Sequence, residues 1–267
     1  PIPDTPSFAS VEQALRSATI DAAVVATPNH THAELVETLC AAGIPTLCEK
    51  PVGRNTQEAS QMAMRSQQLN VPLGVVLNQR FFPVNQWIRR LIRETGLPVR
   101  SIAFKIALPK LTGWHADAEQ SGGGILRLLG VHYLDLLRWW LGEPKAMTAD
   151  IHGLPVDDAA SIELHFAQER IGRLALTAQG DQHEPASCVI EADDARIQLR
   201  GHEVLVSEGV ETPPALEPTH PDQWFGPGHE RLLTQATQSL IHGEGFPVTL
   251  AQALPSLQLV DDLYGLA

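Results

Sequence analysis

Cysteine and clustered positive charge are what this chain lacks, and each shortage removes a class of function. Its three cysteines, Cys40, Cys48 and Cys188, are an odd number at unrelated spacings. They build neither a disulfide framework nor a cysteine-rich metal site, so a reducing cytoplasm is expected and no metal centre is. Lys and Arg number 19 against 31 Asp and Glu, a net charge of −12. Nucleic acids and anionic membranes need clustered Lys and Arg, which the sequence does not offer, and a small-molecule partner is expected instead. No apolar run approaches the roughly 18 residues that cross a bilayer, and no signal-peptide pattern marks the start. The chain opens Pro1-Ile2-Pro3 without an initiator Met, from which an upstream cut is expected.

What is present is ordinary globular material: 267 residues, 43% hydrophobic and 19% charged, room for two domains. Ile20 to Thr27 is a short apolar run, the pattern of a strand buried on both faces of a parallel sheet. Asn29 then reads as a helix N-cap, ahead of a stripe of Leu35, Val36, Leu39 and Cys40 that Gly43 closes. The unit recurs with a strand over Pro45 to Glu49, a helix over Asn55 to Asn70 and a strand over Leu73 to Leu77. That alternation predicts a parallel, doubly wound sheet over residues 1–82. From residue 83 the expectation is a mostly antiparallel open-sheet α+β domain. It holds helices over Asn85 to Glu94 and Ile125 to Leu141, and strands in succession from Met147 to Val206. A Pro-rich loop from Pro213 to Pro221 leads to helices over His229 to His242 and Leu250 to Tyr264, the last packing back.

Ligands of open parallel sheets lie beyond the carboxyl ends of the strands. Three such ends are polar here: Thr27-Pro28-Asn29, Glu49-Lys50-Pro51 and Asn78-Gln79-Arg80. A lysine at the end of a buried strand is costly unless something anionic or hydroxylic meets it, the plainer alternative being a surface pair with Glu49. His132 falls on the buried stripe of the long helix, after Gly122-Gly123-Gly124, whose small size would let a ligand come close. Asp135 reads as a helix-capping or packing residue, Trp114 as a pocket wall, and Asp157-Asp158 as a turn. His115, Asp117 and Glu119 form a polar loop within reach of a substrate. His30 and His32, two apart on a helix, point to different faces and do not make a zinc pair.

Taken in order and spacing, Asp21 to His32 (DAAVVATPNHTH), Glu49-Lys50-Pro51 and Gly122 to Asp135 (GGGILRLLGVHYLD) resemble the Gfo/Idh/MocA dehydrogenases. Val156 to Ala159 and Leu257 to Tyr264 extend the resemblance to nearly the whole chain. It implies a partial Rossmann sheet followed by the antiparallel domain. It also implies NAD- or NADP-dependent oxidoreduction at a secondary alcohol of a sugar, sugar derivative, inositol or sugar nucleotide. Lys50 would contact cofactor and reacting hydroxyl, and His132 would be the acid/base. Thr27, Pro28, Asn29, His32, Glu49, Pro51 and Asn78 would line the nicotinamide side of the cofactor groove. Arg80, Trp114 and Leu128 would stand on the substrate side with His132. A homo-oligomer through the antiparallel sheet is a further implication.

Two departures stand out. Leu128 occupies a position where many relatives of this type carry Asp and others Asn, and it can neither orient a hydroxyl nor hydrogen-bond an imidazole. Arg127 points about 100° away on an ideal helix and does not substitute for it. The G-x-G-x-x-G turn that anchors a pyrophosphate is also missing, with its two strands. That leaves Ser7 to Ser10 as the expected remnant of a strand and the run from Ile20 as an open apolar edge. An alternative function is therefore a catalytically silent relative that binds a sugar-like ligand or a homologous subunit.

Overall fold

Short apolar runs and amphipathic segments resolve into two sheets in the computed structural model, which is described over residues 5–213 and 226–267. Ser10 does not extend a strand. Its hydroxyl accepts from Gln13 N at 3.2 Å and caps α1 (Val11–Ser17), the conformation a serine ahead of a helical turn favours. β1 (Ala23–Val25), β2 (Thr46–Cys48) and β3 (Leu73–Val75) then pair in parallel in that order, linked by α2 (His32–Ala41) and α3 (Thr56–Leu69). The strands are shorter than the apolar runs, and Ala26 and Thr27 after β1 and Glu49 and Lys50 after β2 line a cavity. Among the described residues β1 is an edge, and Val24 on it is 57% exposed. α3 is well bounded, with Asn55 Oδ1 accepting from Glu58 N at 2.9 Å and Asn70 leaving in the left-handed region at φ 53°.

Among the described residues the second sheet has seven strands. α4 (Pro83–Arg93) precedes β4 (Val99–Pro109), and a short helix α5 (Ala118–Ser121) leads to α6 (Val131–Leu141). β5 (Ala146–His152), β6 (Ala159–His165), β7 (Ile171–Gly180), β8 (Glu184–Ala192), β9 (Arg196–Arg200) and β10 (Glu203–Glu208) follow, and α7 (Gly226–Ile241) and α8 (Leu250–Tyr264) close the chain. The sheet order is β10-β9-β8-β4-β7-β6-β5, antiparallel except where β4 pairs with β7. Except for Pro213, the Pro-rich loop expected over Pro213 to Pro221 lies outside the described residues, as does Pro1-Ile2-Pro3.

Alternation along β4 sends Ile102, Phe104 and Ile106 into the core against α6, where Trp140 is fully buried and donates Nε1–H to Asn85 O at 3.1 Å. Each such side chain contributes about 1.5–3 kcal/mol by leaving water. The other face keeps Lys105, Ser161, Glu163 and Arg173 around a shallow concavity. The segment that leads into α8 meets the first sheet: Val75 N donates to Val248 O at 3.0 Å, and Gly74 bridges Thr249. Gly74 is required there, since an added Cβ would lie 2.5 Å from the Phe246 side chain.

The long helix expected from Ile125 is not uniform. Leu126–Gly130 form a π turn before α6 begins at Val131. Hydrophobic periodicity does not reveal such a turn, which recurs at functional sites. The three glycines before it serve packing against the chain itself rather than approach of a ligand. Added Cβ atoms would lie 2.3 Å from Arg54 O at Gly122, 2.5 Å from the Tyr264 hydroxyl at Gly123 and 1.9 Å from Asp157 O at Gly124.

Candidate functional site

A cavity of about 920 Å³ lies where the carboxyl ends of β1, β2 and β3 face the π turn and α6. Of the residues expected from sequence, Thr27, Asn29, Glu49, Lys50, Pro51, Asn78, Trp114, Leu128 and His132 line it. Pro28, His32 and Arg80 do not. His32 is buried, with Nε2 2.7 Å from Thr27 O and Nδ1 3.1 Å from Pro51 O, so it ties the ends of β1 and β2 together from behind. Arg80 is engaged by a buried carboxylate, Nε and Nη2 donating to Asp135 at 2.7 and 2.6 Å. Asn29 is no helix cap either. A 3₁₀ turn over Asn29–Thr31 precedes α2, and the buried Asn29 amide donates to Ser121 O at 2.9 Å.

Lys50 is held by an unexpected acceptor. Glu49 takes the Lys50 backbone N–H at 3.1 Å, while Nζ crosses the cavity to donate to Leu128 O at 2.8 Å. The Leu128 side chain offers no hydrogen bond, yet its carbonyl fixes the ammonium. Burial lowers the proton affinity of Lys50, opposed by the Glu49 charge. Facing it, His132 is buried, and its proton affinity falls well below the ordinary value, first through burial and then through the charges of Lys50 and His229. Its Nδ1 is sealed and has no hydrogen-bond partner, as is Asn78 Oδ1.

Further histidines line the cavity without a signal in the sequence. His229, at the start of α7, has Nδ1 3.1 Å from Asn78 Nδ2 and Nε2 3.7 Å from Glu49 Oε1. His202, from the β9–β10 turn, stacks on Phe82 at 3.4 Å and reaches Gln79 Oε1 at 3.0 Å. Burial pushes it down to about 4. His115, named with its loop, does line the cavity and stacks on Trp114 at 3.8 Å. Among the described residues no group of His, Cys, Asp and Glu has the geometry of a metal site.

Behind the cavity wall a sealed polar network fixes the π turn. Asp157, expected only to turn the chain, is fully buried and accepts from Gly124 N at 2.7 Å, Leu126 N at 2.8 Å and the Tyr264 hydroxyl. Arg127 turns away from the cavity to donate to Gly122 O and Asp261. Ser256 Oγ donates to Asp135 at 2.7 Å and accepts from Arg138 at 2.6 Å, tying α8 to α6. Asp135 is thus a packing residue of the helix that carries His132.

Comparison with known proteins agrees with this architecture. The model described as "Oxidoreductase family, NAD-binding Rossmann fold" matches residues 3–77, and that described as "GFO/IDH/MocA C-terminal domain" matches residues 98–203. Because the first match begins at residue 3, it gives no support to the expected loss of an upstream unit. A 1,5-anhydro-D-fructose reductase of Ensifer adhaerens is 31% identical over 144 residues, 52% of this chain and 43% of that protein. Inositol 2-dehydrogenase of Rhizobium meliloti (strain 1021) is 25% identical over 227 residues, 84% of this chain and 68% of that protein. The solved structure of the WlbA dehydrogenase from Bordetella pertussis, in complex with NADH and UDP-GlcNAcA, has a TM-score of 0.83 at 20% identity, covering 97% of this chain and 81% of that one. That likeness establishes the fold. The chain spans about half the length of several of the curated relatives it matches.

Proposed function

The chain belongs to the Gfo/Idh/MocA family of oxidoreductases, and on that premise we propose that it serves NAD(P)-dependent hydride transfer at a secondary alcohol carbon of a sugar, sugar derivative, inositol or sugar nucleotide. The observation that carries this reading is that Lys50 and His132 line one cavity, at the carboxyl ends of parallel strands, close enough for the charge of one to act on the other. Thr27, Asn29, Glu49, Pro51 and Asn78 fit the nicotinamide end of a dinucleotide, whose chemistry is the acceptance or return of a hydride. The sequence has no glycine-rich turn for the pyrophosphate, so the fit is to that end alone. Trp114, Leu128 and the cavity histidines wall the space left for the alcohol. Lys50 Nζ, anchored on Leu128 O, orients the hydroxyl.

We propose further that residues 1–82 and 83–267 act as cofactor and substrate units. The open face of the seven-stranded sheet would pair two copies, and the protein would work in the cytoplasm. Three buried, unpaired cysteines support a reducing compartment, and among the described residues no helix is long and apolar enough to cross a membrane. The unpartnered His132 Nδ1 favours a second reading, a silent binder of sugar-like ligands.

Titration with NADH and NADPH, followed by fluorescence, tests the choice. Saturable binding of either, followed by turnover with a sugar or polyol, is the expected result. Binding of neither, with sugar-like ligands still bound, would replace the dehydrogenase by the silent binder.

A further inference from the structure

Resting on the dehydrogenase reading, the geometry divides the proton chemistry between Lys50 and His132, and it does so differently from what the resemblance implies. His132 Nδ1 is sealed with no partner, so Nε2 is the nitrogen left to meet a ligand in the cavity that the ring lines. An imidazolium carries N–H on both nitrogens. Here the Nδ1–H would be a buried donor without an acceptor, close to an ammonium, an arrangement that folded proteins avoid. Leu128, four residues earlier on the same cavity wall, supplies no side-chain acceptor, and Lys50 already occupies its carbonyl. The tautomer with the proton on Nε2 leaves no sealed donor at all.

We infer that His132 works throughout as a neutral imidazole donating Nε2–H to the substrate oxygen, while Lys50 takes the hydroxyl proton and returns it. In the oxidising direction the O–H bond breaks to the uncharged Lys50 amine. The C–H bond breaks with its electron pair leaving to the oxidised nicotinamide, and the carbon–oxygen double bond forms. Alcohol, NAD(P)+ and amine thus become ketone, NAD(P)H and ammonium. One N–H of Lys50 stays on Leu128 O, which keeps Nζ aimed while its charge changes. The groups that bias this exchange are Glu49 from the end of β2, His229 from α7, His115 from the loop after β4 and His132 itself. A neutral imidazole used to polarise a carbonyl is a known catalytic pattern.

Nitrogen-15 spectra of histidine-labelled protein test the first half without cofactor or substrate. His132 should stay neutral, protonated at Nε2, across the neutral pH range, and Leu128→Asp should bring its titration back toward the ordinary value. Kinetics test the second half. Lys50→Met should lose about 10²–10⁴-fold in turnover, partly restored by a small primary amine. His132→Gln keeps an N–H donor that cannot ionise, and should fall well short of the 10²–10³-fold loss that removing such a donor brings. A His132 that titrates at or above the ordinary histidine value in the unmodified protein overturns the inference. So does a Gln variant as impaired as Lys50→Met and lacking the acidic limb of the pH–rate profile. If cofactor binds but no alcohol is turned over, the dehydrogenase reading fails and the assignment to Lys50 falls with it, while the spectra still decide the state of His132.

Discussion

Two polar clusters that meet at one helix, where His132 and Asp135 lie three residues apart, are built to opposite rules. Behind the wall, Asp157 and Asp135 are buried among donors that satisfy them: two backbone N–H groups and a tyrosine for one, Arg80 and Ser256 for the other. Inside the cavity, Lys50 has a single acceptor, and His132 Nδ1 and Asn78 Oδ1 have none. Buried polar groups are ordinarily paired because leaving one unpaired costs about 1–3 kcal/mol. The satisfied cluster is therefore architecture. The unpaired atoms of Asn78 and His132 are a cost the fold carries at the cavity, where a ligand would meet them, while Arg127 Nη1 in the supporting network is unpaired as well.

The largest expected effects come from exchanging the two behaviours. Lys50→Met should abolish most turnover while leaving stability within about 1 kcal/mol, because it deletes a charge that burial already disfavours. Asp157→Ala should do the reverse to the fold, costing about 3–5 kcal/mol in denaturant unfolding as a buried, multiply bonded carboxylate is removed. If Asp157→Ala unfolded no more easily than the parent, the division between support and site would be wrong.

The sequence carried the local half of this. Apolar runs and amphipathic stripes located the three parallel strands, their helices and α6, and a lysine at a strand end with a histidine on a buried stripe located the heart of the cavity. What failed had partners far along the chain. Arg80 was expected on the substrate side because Asp135, which engages it, lies 55 residues away, and Asp157 looked like a turn because its donors lie 31 and 33 residues earlier and 107 later. Gly122 to Gly124 advertised close approach but not to what. Asn29 and His32 were misread for the same reason, since the 3₁₀ turn and the carbonyls that hold them leave no periodic trace. His202 and His229 reach the cavity from elements that only tertiary folding brings there.

A smaller effect follows from pH. His202 is held down to about 4 by burial, whereas an unfolded chain takes up that proton near 6.5. Between those values the unfolded state binds the extra proton, so stability that is complete above about pH 6.5 declines as pH falls toward 4, by up to about 3 kcal/mol. His202→Phe preserves the stack on Phe82 and removes the titration, so its unfolding free energy should vary less between pH 7 and 4.5.

The smallest change probes whether the satisfied cluster has spare capacity. Ser256→Ala deletes one hydroxyl, yet Asp135 keeps both bonds from Arg80, and Arg138 keeps Glu143. The expected cost is about 1–2 kcal/mol in denaturant unfolding, with NADH affinity unchanged, because only one hydrogen-bonding position per partner is lost. A larger loss accompanied by weaker cofactor binding would show that the hydroxyl holds α8 and α6 in the register that seats His132. The supporting network would then be tuned to the site rather than merely sealed behind it.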